Sequence, residues 1–164
     1  MTNFREMARK AQAAYEAKKA ERDAEEAYER QARSKSVDQG IDLLNQQVMP
    51  LLEQAKNDFG AERIEAHIER DFDVLNYVGK RPTVYFKLKG PRRSRDNYQF
   101  ETRSAFFESD GKIIFIGLRT GNQADDRVEA QPGGHCGRLV SKTIEQLLED
   151  YFEQLRIHQE SGTL

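Results

Sequence analysis

The stretch Ile113-Ile-Phe-Ile-Gly-Leu118 decides the fold, because six residues pass without one polar side chain. A strand with one face in water alternates apolar and polar residues, so an unbroken apolar run indicates a strand that is covered on both faces. Just before it, Asp110-Gly111 suits the positive backbone angles of a two-residue type I′ turn. We therefore expect a hairpin whose second strand spans 112–119.

This hairpin determines which side chains face each other. With Asp110 and Gly111 as the loop, Phe107 faces Ile114 and Ala105 faces Ile116. The expected result is an apolar patch on the side of the sheet away from the helices, and its members are Phe107, Ile114, Ile116 and Leu118. Such a patch needs a cover, which is the N-terminal segment, another protein or a second copy of the chain. We favour a homodimer through this face, because symmetric pairs are the commonest soluble assembly.

Upstream of the hairpin, apolar residues recur with a period of two, as they do in strands. One run begins near Glu62 and a second near Thr83. The inward side chains of the three strands before 112–119 are Ile64, Ala66, Ile68, Phe72 and Val74, then Val84, Phe86 and Leu88, then Tyr98, Phe100 and Phe106. Short connections make a four-stranded antiparallel meander the simplest sheet.

Amphipathic helices flank the strands in the sequence. Apolar residues at helical spacing predict a helix over 37–59, with a break near Met49 because Pro50 lies inside the pattern and with Gly60 as the C-terminal cap. A last helix is indicated by Leu139, Val140, Ile144, Leu147, Leu148, Tyr151, Phe152 and Leu155. Both helices should pack on one face of the sheet, so residues 37–164 are expected to form a two-layer α+β domain.

Residues 1–36 are expected to form a long charged helical arm. Between Asn3 and Arg33 there is neither Gly nor Pro, and strong helix formers dominate. Alanines at the spacing of a seven-residue repeat occur at Ala13, Ala17, Ala20, Ala24 and Ala27. A stronger apolar face near the start consists of Phe4, Met7, Ala8, Ala11, Ala14 and Tyr15. The arm either docks this face on its own domain or a neighbouring chain, projects as a solvated helix, or frays, and the candidate docking contacts are Phe4, Met7 and Tyr15.

A basic stretch over 80–95 contains no acidic residue and supports an alternative function. A hairpin carrying Tyr85 among cations could grip phosphates and stack a base, through Lys87, Lys89, Arg92, Arg93 and Arg95. The structural interpretation is that Lys87 lies opposite Glu69, that Glu101 comes alongside, and that the arginines form a solvated loop. We favour the structural interpretation.

The loop Gln131-Pro-Gly-Gly-His-Cys-Gly137 precedes the last helix and suggests a third function. Glycines at a helix start let backbone N–H groups approach an anion, and the same position could activate Cys136 as a nucleophile with His135 or His67 as base. Glycine also enters helices for purely conformational reasons, and no thiol-enzyme pattern surrounds Cys136. His67, His135, His158 and Cys136 lack metal-ligand spacing, so we expect no metal, no cofactor and no catalytic residue.

Composition narrows the function classes only weakly. The 164 residues carry a net charge of −2, which gives no overall attraction to nucleic acid or anionic lipid. A single cysteine cannot form an intramolecular disulfide, and no apolar run suits a secretory signal or a membrane span, so the expected location is the cytoplasm. The patternless segment 119–137 is either a mobile binding loop or hides a short strand near 127–130. The sequence thus predicts a non-enzymatic, self-associating interaction module, with nucleic-acid binding and a small enzyme or anion-binding domain as the alternatives.

Overall fold

The computed structural model describes residues 3–90 and 103–160. The chain divides into two compact units, Met1–Lys35 and Ser36–Leu164. The described elements are, in chain order, α1 (Phe4–Gln47), α2 (Met49–Ala61), β1 (Ala66–Asp71), β2 (Thr83–Leu88), β3 (Ser104–Ser109), β4 (Ile114–Thr120), β5 (Gln123–Ala124), β6 (Val128–Ala130) and α3 (Gly134–Glu160). None of the described helices is long and apolar enough to cross a bilayer.

The helices end where backbone chemistry requires it. The predicted break near Met49 is confirmed, since α1 ends at Gln47 and Pro50 occupies the first turn of α2, where its missing N–H costs nothing. No new helix begins at residue 37, because no helix-breaking residue separates the arm from the next segment of the chain, and α1 runs on to Gln47. Gly60 lies inside α2 rather than capping it, and the Glu62 N–H donates to the Phe59 carbonyl at the true end.

The sheet is antiparallel, with strands in the order β1-β2-β3-β4, so the predicted α+β class is confirmed. Beyond the predicted four strands, β5 and β6 both pair with β4 and form one interrupted edge strand. The short strand considered near 127–130 is β6. Between β5 and β6, Asp125, Asp126 and Arg127 stand opposite only Gly117 and Leu118, and this extra residue is a β-bulge.

The β3–β4 hairpin has a four-residue loop, so the predicted two-residue turn is wrong. Phe107 pairs with Ile116 and Ser109 with Ile114, a shift of two residues from the expected register. The loop is closed by side chains, because Asp110 Oδ1 accepts the N–H groups of Lys112 and Ile113 at 2.9 Å each. Only Gly111 in this loop has a positive φ, whereas a type I′ turn needs two such residues.

The core lies between the sheet and the helices α2 and α3, with Leu44 of α1 included. The core contains the inward-facing residues of β1, β2, β3 and β4. Phe59 of α2 packs against Phe86 of β2, with ring centroids 6.2 Å apart. Phe107, Ile114, Ile116 and Leu118 belong to this core, so their predicted place on the face away from the helices is wrong. Phe106, predicted inward, lies on the opposite face from Phe107. Tyr98 and Phe100, which are predicted to face inward with Phe106, lie outside the described residues.

Candidate interaction surface

The outer face of β4 is covered by the chain's own arginines. Phe115 is buried although it points away from the helices. The guanidinium of Arg81 lies 4.9 Å and that of Arg127 lies 4.5 Å from the centroid of its ring. Glu108 contacts both arginines, at 3.9 and 3.7 Å. The expectation that β4 is covered on both faces is therefore confirmed, and its outer cover needs no second chain.

A second row on the same face is also filled. Phe106 pairs with Tyr85 on one side and with Gly117 on the other, and its ring occupies the space that a side chain at residue 117 would need. Arg119 lies over the Tyr85 ring at 4.7 Å and donates from Nη1 to its hydroxyl at 2.9 Å. We call Tyr85, Phe106 and Phe115 with Arg81, Arg119 and Arg127 the outer aromatic layer. The rings of Tyr85 and Phe115 are already in contact with cations from this chain.

The described basic residues of the 80–95 stretch are paired with acids. Lys87 Nζ lies 2.7 Å from Glu69 and Lys89 Nζ lies 3.4 Å from Glu65. The hydrogen bond from Lys87 and its charge lower the pKa of Glu69. The residue directly opposite Lys87 is His67, so the predicted Lys87–Glu69 register is wrong by two residues although the ion pair itself forms diagonally.

The same neutralisation extends to Lys80 with Asp71 and Arg81 with Glu108. Arg92, Arg93, Arg95 and Glu101 lie outside the described residues. Phosphate groups would have to compete with the carboxylates already bound to these cations, which weakens the nucleic-acid alternative.

Cys136 is a core residue in the first turn of α3. Burial raises the pKa of its thiol, the opposite of what a thiolate nucleophile needs. His135 is exposed, and His67 lies on the outer face of β1, across the sheet from the core. The Gly133 N–H already donates to Gln47 Oε1 at 3.0 Å. Within the described part of the chain, no three His, Cys, Asp or Glu side chains are placed to hold a metal ion.

An open acidic groove of about 1030 Å³ lies between α3 and the bulged edge of the sheet, and sequence reasoning missed it. Its charged lining consists of Asp125, Asp126, Glu149, Asp150 and Glu153 with Arg103. Arg103 bridges the two sides, because it contacts Asp125 at 3.0 Å and Asp150 at 3.6 Å. Asp125 and Asp126 are far in sequence from Glu149 and Asp150. They come together because β5 and β6 pair with β4 and α3 packs on the same strand.

Three large apolar side chains are exposed on one face at the start of the arm. Phe4, Met7 and Tyr15 are 74, 57 and 61% exposed. With Ala8, Ala11 and Ala14 they form what we call the N-terminal apolar face. Asn3 Oδ1 accepts the Glu6 N–H at 3.2 Å and so caps the helix where this face begins.

Comparison with known proteins identifies no relative. No family model matches the chain, and neither a curated protein nor a solved structure shows significant similarity to it.

Proposed function

We propose that this chain is a non-enzymatic protein-interaction module that self-associates through the N-terminal apolar face of its arm. The exposure of Phe4, Met7 and Tyr15 on one side of a capped helix carries the proposal. In a solvated helix, large apolar residues are usually scattered or face the core. A continuous exposed apolar face is typical of a contact surface.

The energy of this contact is that of a reversible complex. Burying one Phe, Met or Tyr side chain is worth roughly 1.5–3 kcal/mol, so six such side chains from two arms contribute on the order of 10 kcal/mol or more. Association costs at least ~4 kcal/mol of translational and rotational freedom. At these lower values the balance is about 6 kcal/mol, which corresponds to a dissociation constant of tens of micromolar.

The other surfaces support a contact less well. Phe107, Ile114, Ile116 and Leu118 are buried in the core of the chain, which argues against their use as contacts. The outer aromatic layer is occupied by intramolecular arginines, and the described lysines of the basic stretch are bound to carboxylates. Enzymatic chemistry has no support from the buried Cys136.

Sedimentation velocity over about 1 to 100 micromolar chain tests the proposal, because this range spans the expected dissociation constant. The native chain should shift from monomer to dimer, and the variant Phe4→Ser, Met7→Ser, Tyr15→Ser should stay monomeric. Tyr28→Ser is the matched control, since Tyr28 is as exposed as Phe4 in the same helix but lies outside the face. Equal helix content by circular dichroism excludes unfolding. A native chain that remains monomeric at the highest concentration contradicts the proposal.

A further inference from the structure

We infer that two arms pair in opposite directions, with Phe4 of one copy level with Tyr15 of the other; this inference rests on the proposed function. The central residues of the face, Phe4, Ala8, Ala11 and Tyr15, are spaced by four, three and four. This spacing is symmetric about the midpoint between Ala8 and Ala11. Reversing one helix therefore superimposes the pattern on itself.

The reversed arrangement gives four matched layers. Phe4 meets Tyr15 at both ends, and Ala8 meets Ala11 in the middle. In heptad terms each layer joins a d position of one helix to an a position of the other. The small alanines allow the backbones to approach closely between the two aromatic pairs. The whole contact covers the twelve residues from Phe4 to Tyr15, which is about 18 Å of helix.

The flanking side chains distinguish the two directions. In the reversed pair, Met7 of one copy lies beside Ala14 of the other, which extends the apolar contact. In a parallel pair, Met7 lies beside Gln12 and Ala14 beside Lys19, so apolar side chains face polar ones.

Charge favours the same direction. The basic Arg5 of one copy comes near the acidic Glu16 of the other only when the helices are reversed. In a parallel pair Arg5 is level with Arg5 and Glu16 with Glu16. The alanines at Ala13 and Ala17 lie on the opposite side of the helix and take no part.

Cross-linking between two singly substituted chains tests the direction. Arg5→Cys and Gln12→Cys place thiols beside each other across the reversed pair, on exposed positions outside the apolar centre. The matched control is Glu6→Cys mixed with Ala13→Cys, whose thiols are also level but point outward. Mild oxidation should give several-fold more mixed disulfide from the first mixture than from the control. The native chain serves as the blank for the buried Cys136.

The outcomes separate this inference from the proposed function. Sedimentation of the same variants shows whether they still dimerise. A dimer without the mixed product, or with equal product from both mixtures, overturns the reversed pairing and leaves self-association standing. If neither the variants nor the native chain dimerises, both the reversed pairing and self-association are overturned.

Discussion

Gly40 shows how a single absent methyl group sets the packing of α1 against the sheet. A Cβ at this position would lie 2.9 Å from the Pro82 side chain and 2.9 Å from the Ser109 carbonyl oxygen. The neighbouring Ser36 hydroxyl donates to the Asp110 carbonyl at 2.7 Å, so the helix and the hairpin loop are held at this distance. The backbone oxygen cannot move aside without breaking this junction.

Replacing Gly40 by Ala should therefore destabilise the protein, against the usual preference of helices for alanine. We expect a loss of about 1–3 kcal/mol from overpacking. Gly60→Ala in α2 is the matched control, because nothing lies within 4 Å of its would-be Cβ and it should gain roughly 0.5–1 kcal/mol. Urea unfolding followed by circular dichroism measures both, and equal effects of the two substitutions would contradict this explanation.

Among the strands, the outer aromatic layer draws its stability from buried ring area rather than from its ion pairs. Phe115→Ala should cost about 3 kcal/mol or more, as for other buried aromatic residues. Glu108→Gln removes the charge that contacts Arg81 and Arg127, yet it should cost less than ~1 kcal/mol because these pairs are partly exposed to solvent. Thermal and urea unfolding of the two variants test this order. A larger loss of unfolding free energy from Glu108→Gln than from Phe115→Ala would show that the ion pairs contribute more to stability than the buried ring.

Much of the element order could be predicted from local pattern. Periodicity located α3 and the inward side of β1 and β2, because one face of each of these elements meets the core. Pro50 marked the break between α1 and α2. The inward side of β3 could not be predicted, since both Phe106 and Phe107 are buried and alternation carries no information there. The loop at Asp110 was mistaken for a shorter turn because its closing hydrogen bonds come from side chains.

The candidate surfaces were less predictable than the elements. The apolar face of the arm was readable, because helical spacing needs no tertiary contact to be recognised. The acidic groove was not, because it joins Asp125 to Asp150 through a bulge that no sequence signal marks.

On the scale of the whole molecule, stability should reside in the second unit. Every described residue from 3 to 32 is exposed, whereas the buried hydrophobic residues begin at Val37. A chain starting at Ser36 should retain the unfolding free energy of the full chain within roughly 1 kcal/mol, since removing solvent-exposed residues changes little. Urea unfolding of the two chains checks this, and a loss of cooperative unfolding would show that the core depends on the arm.

The interruption between β5 and β6 affects how this edge of the sheet can pair with another strand. An edge strand that presents a long, regular row of unpaired N–H and C=O groups can pair with a strand of another molecule and so promote aggregation. Here that edge is split into pieces of two and three residues by an acidic kink. At this edge another sheet therefore finds only short, bent rows of unpaired backbone groups, which disfavours edge-to-edge pairing there.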